Sequence, residues 1–140
     1  MKHLTPIYDI ANQFAQYTQT SIFITGNAGT GKTTFLRKLR STTQKQIAVV
    51  APTGVAAINA GGVTIHSFFQ LPFTPFVPTI EGEHNLMSKI KMTSMRRKVI
   101  QELELLVIDE ISMVRADLLD EIDTVLRHIR YRKNLPFGGV

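Results

Sequence analysis

Apolar positions along this chain follow two rhythms. Ile7, Ile10, Ala11, Phe14 and Ala15 recur at three- and four-residue spacing, which predicts a leading helix within residues 1–20 with that stripe turned inward. Thr5 before Pro6 has the form of an N-cap followed by proline at the first helical position. Ser21 to Thr25 is a short continuous β-rich run and predicts a strand that stops at Gly26. A second helix is expected from Gly31 and Lys32, with Phe35, Leu36 and Leu39 inward and Arg37, Lys38 and Arg40 outside. Gln46 to Ala51 reads as a valine-rich buried strand ended by Pro52, and an alanine-rich helical turn follows from Thr53 to the glycines Gly61 and Gly62. A further short helix is expected over 64–69, and another over 93–102 with Thr93 or Ser94 as its cap. Leu105 to Ile108 is a third apolar run, closed by Asp109 and Glu110. The most regular helix is predicted over 116–130, with Leu118, Ile122, Val125 and Ile129 as its stripe and Leu119 and Leu126 beside them. Its acids come early and its bases late, which suits the helix dipole. Only residues 70–87, with three prolines, lack periodicity, so 70–92 is expected to be an irregular loop or arm. Strands alternating with helices predict an α/β fold in which helices flank a parallel sheet.

Composition narrows the chemistry. The 140 residues suit one domain, and 44% apolar content supplies one core. With no cysteine in the chain, disulfides, thiol catalysis and cysteine-based metal centres are excluded. His3, His66, His84 and His128 are scattered and form no metal-spaced pair. No run is long enough for a membrane helix and no signal peptide is visible, so a cytoplasmic, nucleoid-associated protein is expected. The net charge of +5 divides unevenly, +8 over residues 1–101 and −3 over 102–140. That asymmetry fits a basic surface on a polyanion beside an acidic metal–phosphate site, although charge alone also fits a domain that binds nothing anionic.

The sequence GNAGTGKT over 26–33 fits the phosphate-loop pattern in full, with a β-rich run before it and a helix after it. In such a loop glycines let several N–H groups converge on one phosphate, and the next helix adds its positive dipole end. Gly26, Asn27, Ala28, Gly29, Thr30, Gly31, Lys32, Thr33 and Thr34 are therefore expected to bind the phosphates of ATP. Lys32 is placed to act on the β- and γ-phosphates, the Thr33 hydroxyl on Mg²⁺, and Thr34 on the α-phosphate. Asp109, at the end of an apolar strand, is the expected second Mg²⁺ ligand. Glu110 beside it is the expected general base that orients the attacking water, which favours hydrolysis over transfer to a substrate.

The blocks GNAGTGKTTFL, APTGVAA, GGVTIHSFF, VIDEISMV and PFGG together resemble the petite-integration-frequency type DNA helicases of superfamily 1B, relatives of the RecD-like enzymes, from about Ile22 to Val140. The resemblance implies a P-loop NTPase with a RecA-like parallel sheet, driving 5′→3′ translocation on single-stranded DNA and unwinding at duplex junctions, in settings such as DNA repair and telomere maintenance. It also implies that Thr53, His66, Ser67 and Phe68 contact DNA. Phe68 and Phe69 also fit core packing, and His66 a structural role. Ser112 and Met113 match the family's SM, with Met113 expected to pack. Phe68, Phe69, Phe73 and Phe76 suggest a surface arm or wedge near DNA, or a loop pinned by its aromatics. Lys89, Lys91, Arg96, Arg97 and Lys98 suggest a DNA-facing patch or a solvated helix face.

Two features depart from the family. No glutamine matches its adenine-reading position, where Leu4, Thr5 and Pro6 stand. After PFGG the family continues into a second RecA-like domain that supplies arginines to the ATP site. The chain is accordingly expected to be the N-terminal part of the first RecA-like domain, truncated, binding nucleotide with little or no hydrolysis by itself. Another P-loop ATPase of the AAA+ or DNA-transfer type, or a nucleotide-binding fragment without activity, are the alternatives.

Overall fold

A computed structural model describes residues 6–140. The expected cap Thr5 lies outside the described residues.

Among the described residues seven α-helices and three strands follow one another: α1 (Pro6–Tyr17), α2 (Lys32–Thr42), β1 (Ile47–Ala51), α3 (Gly54–Ala60), β2 (Val63–Thr64), α4 (Ile65–Phe69), α5 (Ile80–Lys89), α6 (Ser94–Gln101), β3 (Leu105–Ile108) and α7 (Ala116–Ile129). The strands pair in the order β2-β1-β3, all parallel, with Val50 opposite Val63 on one side and Ile47 opposite Leu105 on the other. Successive side chains of a strand point to opposite faces, and here the two faces bury different helices. Ala48, Val50, Leu106 and Ile108 pack into a core with α4, α5, α6 and α7, whose centre is Phe69, Ile100, Ile122 and Leu126. Ile47, Leu105 and Val107 turn the other way, toward Tyr8, Ala15, Phe35 and Leu39 of α1 and α2, and Val49 lies against Leu36 and Ala60. The chain is thus a three-layer α/β unit with helices on both faces of a parallel sheet, as the alternation of elements predicts.

Three details differ from the sequence reading. The run Ser21–Thr25 is not a strand: it makes no ladder bonds, and only Ile24 packs onto the core, while Phe23 is 75% exposed. A β-rich run becomes a strand only against a partner, and this run forms no ladder with either open edge of the sheet, β2 or β3. In α1 the inward face is Tyr8, Ala11 and Ala15, with Tyr8 stacked on Phe35 at 5.2 Å, whereas Ile7, Ile10 and Phe14 are exposed. The helix carries two overlapping apolar stripes, and the one with small residues allows the closer approach to α2. Finally, α5 occupies half of the expected irregular segment. Thr79 caps it by accepting from the Gly82 N–H at 3.0 Å, with Glu81 and Glu83 in its first turn and Lys89 in its last. Gly82 hides this helix from a propensity reading, yet a side chain there would meet the Val77 carbonyl at 1.9 Å.

The segment 70–79 is anchored on this framework by Leu71 and Phe76, 5% and 7% exposed. Beneath it, a cavity of about 70 Å³ between Pro75, Phe76, Asn85 and α7 contains the carboxyl of Glu121. Glu121 is 3% exposed and its Oε1 has no hydrogen-bond partner. Burial first, and the charge of Asp117 one turn earlier second, raise its pKa from the usual 4.5 to about 7. The folded chain therefore holds this proton more tightly than the unfolded chain. The contribution of Glu121 to stability is most favourable below about 4.5, falls as pH rises, and carries its full penalty above about 7. Glu121→Gln removes the charge and keeps the shape. It is expected to raise unfolding free energy at pH 8 by about 1–3 kcal/mol and to leave it little changed at pH 4. Urea unfolding at both values checks this, and equal gains at both would contradict it.

The PFGG block closes the far end of α7. Arg127 holds Asp123 at 2.9 Å, and Asp123 accepts the Phe137 N–H at 2.5 Å. Arg130 donates to the Gly138 carbonyl at 2.9 Å and to the carbonyls of Ile100, Gln101 and Leu103 at 2.7–3.0 Å, which ties this turn to the end of α6.

Candidate active site

Ligands of open parallel sheets bind beyond the carboxyl ends of the strands, and the declared chemistry gathers there. Residues 26–31 form an exposed loop that enters α2 through Gly31, which takes a left-handed conformation (φ 96°), as does Gly29 (φ 80°). No side chain caps α2, and the N–H groups of its first turn have no intrahelical acceptor. Lys32 folds back across the loop. Its ammonium donates to the Gly26 carbonyl at 2.5 Å, the Asn27 carbonyl at 2.8 Å and the Thr30 hydroxyl at 3.2 Å. The Thr30 hydroxyl in turn donates to Asn27 at 2.8 Å. A cation and free backbone donors thus share one concave loop.

The carboxylates arrive from β3. The Asp109 N–H donates to the Val50 carbonyl at 2.9 Å, so the ladder fixes where the strand ends. Glu110, immediately after it, is left-handed (φ 54°, ψ 46°). For a glutamate that conformation costs about 1–3 kcal/mol and is tolerated where the surroundings impose it. Glu110 then begins a 3-10 turn over Ile111–Met113, and the Met113 N–H returns to the Glu110 carbonyl at 3.0 Å. Thr33, Thr53, Asn59, Asp109, Glu110 and Met113 line one cleft of about 360 Å³ between α2, α3 and the end of β3. Thr33 and Asp109, the two expected metal ligands, are therefore on the same cleft. Among the described residues no cluster of three or more His, Cys, Asp or Glu could hold a metal by itself.

The four residues expected on DNA divide. Thr53 lies in the cleft, where its hydroxyl caps α3 by accepting from the Ala56 N–H at 3.2 Å. Ser67 is exposed on α4 and His66 half-buried beside it. Phe68 is 5% exposed and packs edge-on against Phe69 at 4.8 Å, with the Arg96 guanidinium 5.4 Å from its ring centre. It belongs to the core and offers no free face for a base. Met113, expected to pack, is 57% exposed at the cleft. Sequence reasoning missed Asn59 in the cleft. Phe73, expected with its neighbours on a surface arm or in a loop pinned by its aromatics, is 89% exposed and its ring stacks on His66. The flanking Pro72 and Pro75 are the signal that could have separated Phe73 from its buried neighbours. Lys89, Lys91 and Lys98 are exposed, and Lys98 pairs with Glu102 at 3.9 Å. The pKa of His128 is lowered by burial first and then by the Lys133 and Arg97 charges.

A family model described as PIF1-like helicase matches residues 4–140. The chain belongs to the PIF1-like helicase family. It is 42% identical over 125 residues to the ATP-dependent DNA helicase PIF1 of Candida albicans, covering 86% of this chain and 13% of that protein. It is 40% identical over 124 residues to the PIF1 helicase of Homo sapiens, covering 86% of this chain and 18% of that one. Among solved structures, the Pif1 helicase from Bacteroides in complex with ADP-AlF3 and ssDNA superposes with a TM-score of 0.88 at 44% identity. That match covers 100% of this chain and 31% of the other. This PIF1-like chain thus shares its parallel sheet and flanking helices with a helicase domain, and spans a third or less of each relative. Among the described residues no helix is long and apolar enough to cross a membrane.

Proposed function

We propose that the chain is the ATP-binding part of an ATP-driven 5′→3′ DNA helicase motor. The observation that carries this is the facing of two elements: a phosphate loop closed over its own lysine, and a strand end that puts Asp109 and Glu110 on the same cleft as Thr33. Support comes from relatives of this family. Bacteroides Pif1 has been solved bound to ssDNA at 44% identity, and two coordinating Pif1 helicases at forked dsDNA at 45%.

In this reading the left-handed glycines and the first turn of α2 bind the β-phosphate of ATP through backbone N–H groups. Lys32 exchanges its bond to Thr30 for a phosphate oxygen while keeping the Gly26 and Asn27 carbonyls, so its charge is already aimed. Thr33 and Asp109 would hold Mg²⁺, which would neutralise phosphate charge. Glu110 orients a water molecule on the γ-phosphate and accepts its proton. Single-stranded DNA lies across α4 and the segment after it, with His66 and Ser67 as contacts.

Titration of a fluorescent oligothymidylate with the chain tests the partner. Binding is expected at low salt and should weaken steeply as salt rises, with single strands preferred over blunt duplex. A chain that binds neither form at low salt would contradict the reading.

A further inference from the structure

Phe73 stands apart from every other aromatic in its segment. The residues two before and three after it, Leu71 and Phe76, are buried at 5% and 7%, and Pro72 and Pro75 restrict the backbone between them. The ring is therefore held outward by anchors on both sides. At 89% exposure it is the most exposed of the large apolar side chains in the described residues. One of its faces is covered: the His66 imidazole lies parallel to it, with centroids 4.7 Å apart and planes 9° apart. His66 is itself fixed by α4, where its carbonyl accepts the Leu71 N–H at 3.0 Å. The other face of Phe73 is open to water. The same helix carries the exposed Ser67 one residue after His66, and the Arg96 charge lies against Phe68 two residues after it. A ring anchored on both sides, with a backing partner, an open face and the Ser67 hydroxyl on the backing helix, matches what an unpaired nucleotide presents: a flat base and a phosphate that accepts hydrogen bonds.

We propose that the open face of Phe73, backed by His66, is a stacking platform for one base of single-stranded nucleic acid. The inference rests on the DNA reading above and extends it to a residue outside the motif blocks. Stacking is tolerant of base identity, because every base has a π-face. The platform therefore contributes affinity and position along the strand, without sequence preference.

The test uses oligothymidylates carrying a single 2-aminopurine at successive positions, titrated with the 140-residue chain. One position is expected to be quenched on binding, and Phe73→Ala should remove that quenching. The same variant should weaken oligonucleotide binding about 5- to 100-fold. Phe73→Trp should retain both signals. Because stacking releases no counterions, the fold-loss in Phe73→Ala should be the same at 50 and 200 mM salt (roughly the range over which phosphate contacts weaken). Phe73 is exposed, so circular dichroism of the variant should match the parent, and its nucleotide affinity should be unchanged. If the parent binds the oligonucleotide but Phe73→Ala binds equally well with the same quenching, the platform is overturned and the DNA reading stands. If the parent binds no oligonucleotide, both fall. A chain that self-associates through Phe73, with DNA binding untouched by the substitution, also overturns the platform.

Discussion

Glu110→Gln is expected to bind MgATP as tightly as the parent chain, within about threefold, and to hydrolyse it about 10²- to 10⁴-fold more slowly. The substitution keeps the side chain's length and leaves the left-handed turn out of β3 in place. It removes only the ability to accept a proton from water. Asp109, one residue earlier, keeps its place at the end of the ladder, and the cleft keeps its shape. Phosphate release should be followed under single-turnover conditions, with protein in excess over labelled ATP. Equal rates for parent and variant would remove Glu110 from the role of base. A parallel loss of affinity would show that it holds the nucleotide instead.

Lys32→Ala is expected to weaken nucleotide binding about 10- to 100-fold. The ammonium is the one charge that spans the loop, and its three donors are satisfied by the loop itself. Removing it takes away a charge-assisted bond to phosphate and also the internal tie that holds Gly26, Asn27 and Thr30 together. The loss should therefore extend to ADP, though less than to ATP, because the γ-phosphate contact is absent there. Equilibrium titration with both nucleotides separates the two effects. Equal affinity of parent and variant for ATP would place the phosphates elsewhere. Lys32 is exposed enough that the fold should persist, and urea unfolding of the variant checks this.

Much of the site was legible because its chemistry is local. The phosphate loop is eight contiguous residues whose backbone needs glycine, a lysine and a helix start. The acidic pair declares itself by ending an apolar run, and the caps Thr53, Thr64 and Thr93 each accept an N–H from three residues on. What the sequence concealed is decided by distant partners. Ser21–Thr25 has strand composition, but it pairs with neither open edge of the sheet. The leading helix offers two apolar stripes, and Phe35 selects the one through Tyr8. Phe68 and Phe73 are five residues apart in one aromatic cluster, yet one is in the core and the other in water. Glu121 sits among the early acids that suit the dipole of α7, and only the covering segment 70–79 turns it from a solvated charge into a buried one.

The central claim is that the loop at Lys32 and the strand end at Asp109 serve one nucleotide. Calorimetric titration of the chain with a non-hydrolysable ATP analogue tests it most directly, with and without Mg²⁺, for the parent and for Asp109→Asn. One site per chain is expected, tightened by Mg²⁺ in the parent, with that Mg²⁺ gain lost in Asp109→Asn while the metal-free affinity stays the same. Binding that ignores Mg²⁺, or a Mg²⁺ gain that survives the loss of the Asp109 carboxylate, would contradict it.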